Sequence, residues 1–426
     1  MRLPAALLST FSCCLAFAAA SSASTSIAAP QRESASFPYR STMALAGKAL
    51  YRYRTLVTFT GVNGLEPLDN LTVDSAGNLY GTTSNGFHRE GTLFKLDTSG
   101  RFATLYNFNT NVTEPGADAV MDSAGNLYGT AMEGLGSFGN GGIYKLGSNG
   151  VETVLHAFSG GADGDLSFSN LVFGPNGDLY GTTSLGGNTG GKCGPSGCGV
   201  VFKVSTGGNY SVVHAFDYAD GAQPAAGVMF DAQRNLYGTT QFGGKTGYGT
   251  VYEIGTSGKE TVLYDFRNGA DGGQPTSSLV TDSQGNLYGT TSAGGKKIQA
   301  CNVGPTTGCG VVFALSPSGQ ETTLHAFSSQ PDGAQPLSGL LLDAHGNLYG
   351  TTREGGKSIY GGTVFAITTS GQNYTILHAF LPQNGEEPAG AVYMDTRGDL
   401  FGTTSAAGKG NGGTVYELIP QSRGAQ

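Results

Sequence analysis

Four cysteines form two close pairs, Cys193 with Cys198 in "GKCGPSGCG" and Cys301 with Cys309 in "ACNVGPTTGCG". In an exported chain such spacing predicts one disulfide within each loop, worth about 2–3 kcal/mol in the chain-entropy model. Four thiolates could instead hold a metal ion, but neither pair has the C-x₂-C spacing typical of zinc sites. We therefore expect two local disulfides and no metal.

Histidine is the next residue type that could carry chemistry. Four of the six histidines occupy one repeated position in "LHAF" or "VHAF", where two further copies carry tyrosine: His156, His214, His325 and His378, with Tyr106 and Tyr264. A catalytic residue is expected at one site only. Because histidine recurs at the same position in four units, it indicates a packing role with a side-chain hydrogen bond. The two others, His88 and His345, fall in connections that we expect on opposite faces. We predict no catalytic residue.

Aspartates also recur in two sets. One set precedes the turn before six of the seven copies of the repeated motif, and the other lies in D-G turns at Asp163, Asp220, Asp271 and Asp332. The second set could bind calcium, but turn formation by Asx side chains explains both sets more simply. The chain has no Gly-x-Ser-x-Gly, P-loop or HExxH motif, so no cofactor is expected.

A further group of residues lies outside the repeat pattern and could contact a ligand. It comprises Phe87, Arg89, Phe242, Tyr248, Arg353 and Tyr360. Aromatic rings beside charges suit stacking on a sugar or docking of a protein partner. They could equally serve only to cover the surface, and the absence of Trp argues against a strong carbohydrate platform.

These residues are carried by seven near-copies of "GNLYGTT", the first starting at Gly77 and the last, "GDLFGTT", at Gly398. Each copy belongs to a unit with four short apolar segments rich in Val, Ile, Tyr and Thr and bounded by Gly, Asp, Asn or Ser. Four short strands per repeated unit are typical of a β-propeller blade.

The connections between these segments are of two kinds. The first-second and third-fourth connections are short and nearly constant in length, whereas the second-third connections and those leading to the next unit vary. Alternate connections of an antiparallel meander lie on the same face. We expect all variable loops on one face, and any binding site there.

The ends of the repeat region predict how the ring closes. The last unit stops after its third segment, "GTVYELIP", and residues 55–59 match the missing fourth segment. A ring closed in this way has no exposed edge strand. We predict an all-β, seven-bladed β-propeller over residues 51–420, with four antiparallel strands per blade and the N-terminal strand completing the last blade. An open β-helix is the alternative.

The N-terminal segment has the pattern of an export signal. Residues 1–23 combine Arg2, a short apolar run and small residues, as a secretory signal peptide does. A membrane anchor or a lipid-modified Cys13 is the alternative, although the run is short for a span. We expect a disordered linker at 24–50, a tail at 421–426, and secretion to the extracellular or periplasmic space.

Composition limits the partners. Of 426 residues, 71 are Gly and only 13% are charged, while 38% are hydrophobic, which fits a folded chain of strands and turns. The net charge is −8 and there is no basic run. Nucleic acid is therefore not expected as a partner, because phosphate binding requires clustered Lys and Arg.

The units built on "DSAGNLYGTT", "SG" and "DGAQP" resemble the GloVer tandem repeat of bacterial choice-of-anchor surface or secreted proteins, over about residues 51–420. More loosely, they are similar to NHL-type and streptogramin-lyase-like propeller repeats. The resemblance implies propeller architecture and export and does not imply a chemistry. The C-terminal "ELIPQSRGAQ" departs from the anchoring tails of that family.

Together these features predict a secreted, monomeric binding or surface-interaction module without a membrane span. Its ligand, a glycan, a small molecule or a protein, is expected on the variable-loop face. The alternative is a metal-dependent lyase or lactonase of the streptogramin-lyase or NHL-like type. Convergence of non-repeated polar residues on the propeller axis would discriminate between the two.

Overall fold

Short runs of β-branched and aromatic residues, separated by Gly- and Asp-rich turns, form short strands throughout the chain. A computed structural model describes residues 51–86, 90–108, 112–134, 139–301 and 307–421. The strands make seven antiparallel sheets, arranged as the blades of a β-propeller. The predicted all-β, seven-bladed fold is confirmed.

The strands are numbered along the chain and grouped here by blade, from the axis outward. Blade 1 contains β2 (Thr72–Val73), β3 (Leu79–Thr83), β4 (Thr92–Leu96) and β5 (Phe102–Asn107); blade 2 contains β7 (Val120–Met121), β8 (Leu127–Gly134), β9 (Gly142–Leu146) and β10 (Glu152–Ala157), with an additional β6 (Val112–Pro115) paired to β8. Blade 3 contains β11 (Val172–Phe173), β12 (Leu179–Thr183), β13 (Val200–Val204) and β14 (Tyr210–Ala215); blade 4 contains β15 (Met229–Phe230), β16 (Leu236–Thr240), β17 (Thr250–Ile254) and β18 (Glu260–Asp265).

The remaining blades follow the same order. Blade 5 contains β19 (Val280–Thr281), β20 (Leu287–Thr291), β21 (Val311–Leu315) and β22 (Glu321–Ala326); blade 6 contains β23 (Leu341–Leu342), β24 (Asn347–Thr352), β25 (Thr363–Thr368) and β26 (Thr375–Ala379); blade 7 contains β27 (Tyr393–Met394), β28 (Leu400–Thr404), β29 (Thr414–Pro420) and β1 (Tyr51–Thr58). Two short 3₁₀ helices, Gly191–Cys193 and Gln299–Cys301, lie in the second-third loops of blades 3 and 5.

Blade 7 is completed by the N-terminal strand, as predicted. β1 pairs antiparallel with β29, from Tyr51 opposite Pro420 to Thr58 opposite Thr414. The rim edge of β29 is thereby covered, and the first and last strands of the repeat region share one sheet.

A side-chain network explains the "D-x-x-G-N-L-Y" part of the repeat. In blade 1, Asp74 Oδ1 accepts hydrogen bonds from the backbone N–H groups of Ala76 and Asn78, both at 2.9 Å. Its Oδ2 accepts from Asn78 Nδ2 at 2.7 Å and Tyr80 Oη at 3.0 Å. Gly77 has a φ of 84°, which disfavours any other residue in this turn. The Tyr-to-Asp bond recurs in five blades.

The first threonine of "GTT" links each blade to the next. Its hydroxyl donates to a backbone carbonyl in the segment that precedes the first strand of the following blade, at 2.8–3.3 Å. The pairs are Thr82–Ala117, Thr130–Ser169, Thr182–Ala226, Thr239–Ser277, Thr290–Ser338, Thr351–Gly390 and Thr403–Asp69. The last pair joins blade 7 to blade 1, so the threonine belt runs around the whole ring.

Each blade also packs one large ring from its third strand against the glycine of its second strand. Four blades use Phe together with an inner Leu, and three use Tyr together with a smaller inner residue: Leu71/Phe94, Ala119/Tyr144, Leu171/Phe202, Val228/Tyr252, Leu279/Phe313, Leu340/Phe365 and Val392/Tyr416. The smaller aliphatic residue makes room for the phenolic oxygen, so the total volume is kept. The three tyrosine hydroxyls are buried without a hydrogen-bond partner.

Candidate functional site

The repeated histidines and the D-G aspartates form pairs at the rim. His156, His214 and His325 place Nε2 at 2.8–3.0 Å from the carboxylates of Asp163, Asp220 and Asp332, and Tyr264 bonds to Asp271 in the same way. The predicted packing role with a side-chain hydrogen bond is confirmed. The D-G carboxylates are engaged by their own blade.

Both predicted disulfides are present. Cys193 is bonded to Cys198 and Cys301 to Cys309, each within one second-third loop. The four sulfur atoms are therefore covalently paired, and the alternative of a four-cysteine metal site is excluded. A chain that relies on such bonds suits an oxidising compartment.

The six loop residues proposed as ligand contacts have different environments. Phe87 and Arg89 lie outside the described residues. Phe242 pairs with Ala222 through both backbone groups, at 2.8 and 2.9 Å, and its half-buried ring packs against a core cluster that includes Phe216. Phe242 therefore supports its loop, and its contact with a ligand stays a prediction.

Among the other loop candidates, Arg353 forms an ion pair with Glu387, in which both Nε and Nη2 reach Oε2, at 3.1 and 2.7 Å. Tyr248 and Tyr360 are 38% and 61% exposed. They belong to blades 4 and 6, with blade 5 between them. Two exposed tyrosines on separate blades remain available for a partner, and their role stays a prediction.

The axis is lined by the seven segments that precede the first strands. Aligned on the turn that follows, the residue four positions earlier is, from blade 1 to blade 7, Asn70, Asp118, Asn170, Gly227, Ser278, Gly339 and Ala391. Three consecutive blades thus place a large polar side chain where the others place a small residue. Asn70, Asp118 and Asn170 are 6%, 4% and 1% exposed. We refer to these three residues, with the neighbouring Asp69, as the axial cluster.

Several atoms of the axial cluster have no hydrogen-bond partner. Asn70 Oδ1 accepts a bond from the backbone N–H of Ala391 at 2.6 Å, which fixes the amide and leaves Nδ2 free. Asp118 Oδ1 and both polar side-chain atoms of Asn170 are also buried without a partner. Each such group costs about 1–3 kcal/mol, and buried polar atoms in proteins nearly always have partners. The cluster is therefore polar beyond what the fold needs.

The two carboxyl groups hold protons unusually tightly. Asp69, whose Oδ2 accepts a bond from Thr82 at 2.9 Å, has a pKa raised by burial to about 7. Burial and the Asp69 carboxylate raise the pKa of Asp118 to about 8, and its own backbone N–H partly offsets the rise. Near neutral pH Asp118 is thus partly protonated and can donate or accept a hydrogen bond.

Sequence reasoning did not find the axial cluster, although a signal was present. Within one unit the first segment has only the pattern of a strand that ends in a turn aspartate. The signal is the change from Asn70, Asp118 and Asn170 to small residues in the other four blades at the same position. The structure brings these residues together at the axis, and it places the loop tyrosines on two separate blades.

Seven radial sheets surround a lined axis, each with the four strands of one repeat unit. With non-repeated polar residues on that axis, they define a seven-bladed β-propeller with a candidate axial binding site. The chain belongs to the Gloeobacter/Verrucomicrobia repeat family, whose model matches residues 39–193, 116–301 and 300–426. The resemblance found in the sequence is thereby confirmed. No curated protein matches the chain significantly.

Solved structures of other proteins are similar to this chain. The extracellular domain assigned to a one component system from B. thetaiotaomicron has a TM-score of 0.50 and 11% identity, covering 86% of this chain and 39% of that one. A gluconolactonase from Xanthomonas campestris has a TM-score of 0.42 and 14% identity, covering 72% and 89%. A luciferin-regenerating enzyme has a TM-score of 0.45 and 12% identity, covering 87% and 96%. At these identities the likeness concerns the fold alone.

Helices in the described part of the chain are too short and polar for membrane crossing.

Proposed function

We propose that this chain is a binding module whose axial cluster takes up a small uncharged or cationic ligand. The observation that carries the proposal is the set of buried, unpartnered atoms on Asn70, Asp118 and Asn170. A ligand that supplies the missing hydrogen bonds would remove the free-energy cost of leaving them unmade. Ordinary structural packing gives no reason to keep them.

The atoms define the chemistry of the ligand. Asn70 Nδ2 is a fixed donor, Asp118 Oδ1 is an acceptor when the acid is ionised, and Asn170 offers both. A group that both donates and accepts, such as a hydroxyl or a carboxamide, suits this set. An anion does not, because two carboxyl groups already share the site.

We infer that a ligand would reach the axis from the variable-loop face. The segments bearing the cluster begin immediately after the loops that join one blade to the next, and these loops are on that face. Exposed Tyr248 and Tyr360 on the same face are candidates for outer contacts with a larger ligand or a protein partner.

We also propose that the protein is exported, with residues 1–23 acting as a signal peptide. The two disulfides support an oxidising compartment. Amino-terminal sequencing of the protein recovered from the periplasm or medium tests this. A chain that keeps Met1 and stays in the cytoplasm would contradict export.

One observation favours the rival activity, a lactonase or lyase. The pKa of Asp118, about 8, is suited to proton transfer near neutral pH. The oxygens of Asp118 and Asn170 could hold a hard cation, but the fixed donor Asn70 Nδ2 could not be a ligand to it. Hydrolysis of a panel of lactones that is lost in Asp118→Asn would establish the rival.

Binding at the axis is tested with a thermal-shift and calorimetric screen of polyols, sugars, carboxamides and small amines. Asn170→Ser introduces the residue type that blade 5 carries at this position, and it should weaken binding about ten-fold or more while the fold is kept. Ser278→Ala, in the same column, serves as the matched control and should weaken it less. If Tyr360→Ala abolishes binding and Asn170→Ser does not, the axial proposal is wrong and the loop face holds the ligand.

A further inference from the structure

The rim of the propeller contains a pattern of contacts between neighbouring blades. The His or Tyr position of each outer strand faces a residue of the next blade that lies four positions before the corresponding site in that blade's own outer strand. The facing pairs are Val57 with Phe102, Tyr106 with Glu152, His156 with Tyr210, His214 with Glu260, Tyr264 with Glu321, His325 with Tyr374 and His378 with Tyr53.

These pairs follow a simple rule with one exception. Three histidines stack on a tyrosine, with ring centroids 3.8–4.4 Å apart. Both tyrosines of the repeated position face a glutamate, and the one valine faces a phenylalanine. Only at the junction of blades 3 and 4, among these fully described positions, does a histidine face a glutamate. That glutamate stands beside the His214–Asp220 pair.

The exception brings three metal-ligating side chains together. One donor atom each from His214, Asp220 and Glu260 lies within 4.8 Å of the others, and His214 Nε2 is 2.8 Å from Asp220 Oδ2. Glu260 Oε1 is shielded from solvent and has no hydrogen-bond partner. All three residues are half-buried. We call them the rim triad.

We propose that the rim triad binds a divalent transition-metal ion, with zinc as the best match, and thereby links blades 3 and 4. One imidazole nitrogen and two carboxylate oxygens form a ligand set that zinc accepts, with a fourth position for water. Calcium fits less well, because it requires six to eight oxygen ligands. Zinc at about 2.0–2.2 Å from each ligand atom would replace the hydrogen bond between His214 and Asp220 and draw the Glu260 carboxylate inward.

The charges of the triad agree with this assignment. Two carboxylates, those of Asp220 and Glu260, stand beside a single imidazole. A divalent cation would balance both charges and supply the partner that Glu260 Oε1 lacks.

The repeat supplies its own control variant. Glu260→Tyr installs at this junction the His–Tyr stack that three other junctions already use, so it removes a ligand without removing packing. Glu260→Gln keeps the shape and removes the charge. Asp118→Asn tests whether any observed metal is instead at the axis.

The experiment is a calorimetric titration of the purified full-length chain with zinc, after removal of bound metal by a chelator. The wild-type chain should bind one more zinc ion than Glu260→Tyr, and Glu260→Gln should bind that ion at least about 100-fold more weakly, because even second-shell changes cost about 10–100-fold. The comparison between variants is needed because Cys13 and Cys14 could also bind zinc in the uncleaved chain.

The outcomes are distinguishable. Zinc should raise the melting temperature of the wild type and of Asp118→Asn, and it should do so less for Glu260→Tyr. Circular dichroism of each variant verifies that it is folded. Equal zinc stoichiometry in wild type and Glu260→Tyr, or loss of the ion in Asp118→Asn alone, would overturn the rim proposal without affecting the axial one.

Discussion

The constant-turn face and the axis of this propeller are built from the same seven units but use polar residues in opposite ways. At the turns, the aspartate, its Asn neighbour and the following Tyr satisfy one another, and the Tyr-to-Asp bond recurs in five blades. At the axis, the polar residues differ from blade to blade and leave atoms unpartnered. Polar residues that recur in most blades and satisfy one another's hydrogen bonds indicate a structural role. Polar residues that differ between blades and leave buried atoms unpartnered indicate a binding role.

The largest expected effect is a loss of stability when β1, which completes blade 7 and closes the ring, is removed. Deleting residues 51–58 removes β1, exposes the edge of β29 and takes Tyr53 and Val57 from their packed positions. The loss should be several kcal/mol, a large share of the stability of an ordinary domain. Denaturant unfolding followed by circular dichroism measures it. An unchanged midpoint would mean that rim closure contributes little.

A second prediction uses pH to separate the axis from the turns. The folded-state pKa values of Asp69 and Asp118, about 7 and about 8, exceed the ordinary value of 3.8, so the folded state binds protons more tightly than the unfolded state. Without ligand, these groups should therefore reduce stability progressively as the pH rises from about 4 to 8, by up to about 1.4 kcal/mol per pH unit for each group. Asp118→Asn should remove much of that slope.

Urea unfolding at pH 5 and pH 8 provides the measurement. The matched control is Asp282→Asn at a turn, where the pKa is lowered by hydrogen bonds from Asn286 and Tyr288 that outweigh burial. That substitution should leave the slope between pH 5 and pH 8 unchanged. A wild-type slope equal to that of Asp118→Asn would contradict the assignment of raised pKa values to the axis.

A third prediction compares one polar residue from each region. Asp282→Ala removes an acceptor of bonds from Gln284, Asn286 and Tyr288, at 2.8–2.9 Å, and should cost about 2–4 kcal/mol. Asn170→Ala removes two unpartnered atoms and should leave stability unchanged or raise it by about 1 kcal/mol. Thermal unfolding of the two variants side by side tests this. Similar losses of stability in the two variants would contradict the proposed difference between the turns and the axis.

The smallest effect is expected from the buried tyrosine hydroxyls. Tyr144→Phe deletes an unpartnered hydroxyl beside Ala119 and should change stability by no more than about 1 kcal/mol, in the stabilising direction. Phe202→Tyr is the reverse control, because the larger Leu171 stands in that blade, and it should destabilise through overpacking. Differential scanning calorimetry resolves both changes. Destabilisation by Tyr144→Phe would show that its hydroxyl has a partner.

The sequence predicts the features that are encoded by residue spacing in the repeat. Strand number, ring closure, turn aspartates and both disulfides follow from spacing within one unit or between the two ends. The threonine belt and the rim pairs join residues of different blades, so they become visible only when adjacent units are compared in three dimensions. Phe242 was assigned to a ligand because its side chain is unusual for its position, yet its backbone pairing with Ala222 has counterparts in other blades.

The candidate sites differ in the same respect. Asn170 and Glu260 each lie in a segment with an ordinary strand pattern. Neither belongs to a catalytic motif or to a variable loop, so the local sequence does not mark them as functional. Their significance depends on neighbours contributed by other blades: Asn70 and Asp118 for one, His214 and Asp220 for the other. Local spacing carries no information about such neighbours.

The pairing of β1 with β29 also determines how the molecule would respond to a pulling force. Tyr51 and Pro420 face each other at one end of an antiparallel pair, so a force applied to the two ends of the repeat region would open the ladder one bond at a time, starting there. Unzipping of this kind needs little force. The bond from Thr403 to the Asp69 carbonyl is made by β28, which is separated from β1 by β29, so it does not depend on β1. We expect β1 to detach from the rim while this contact between blades 7 and 1 stays intact.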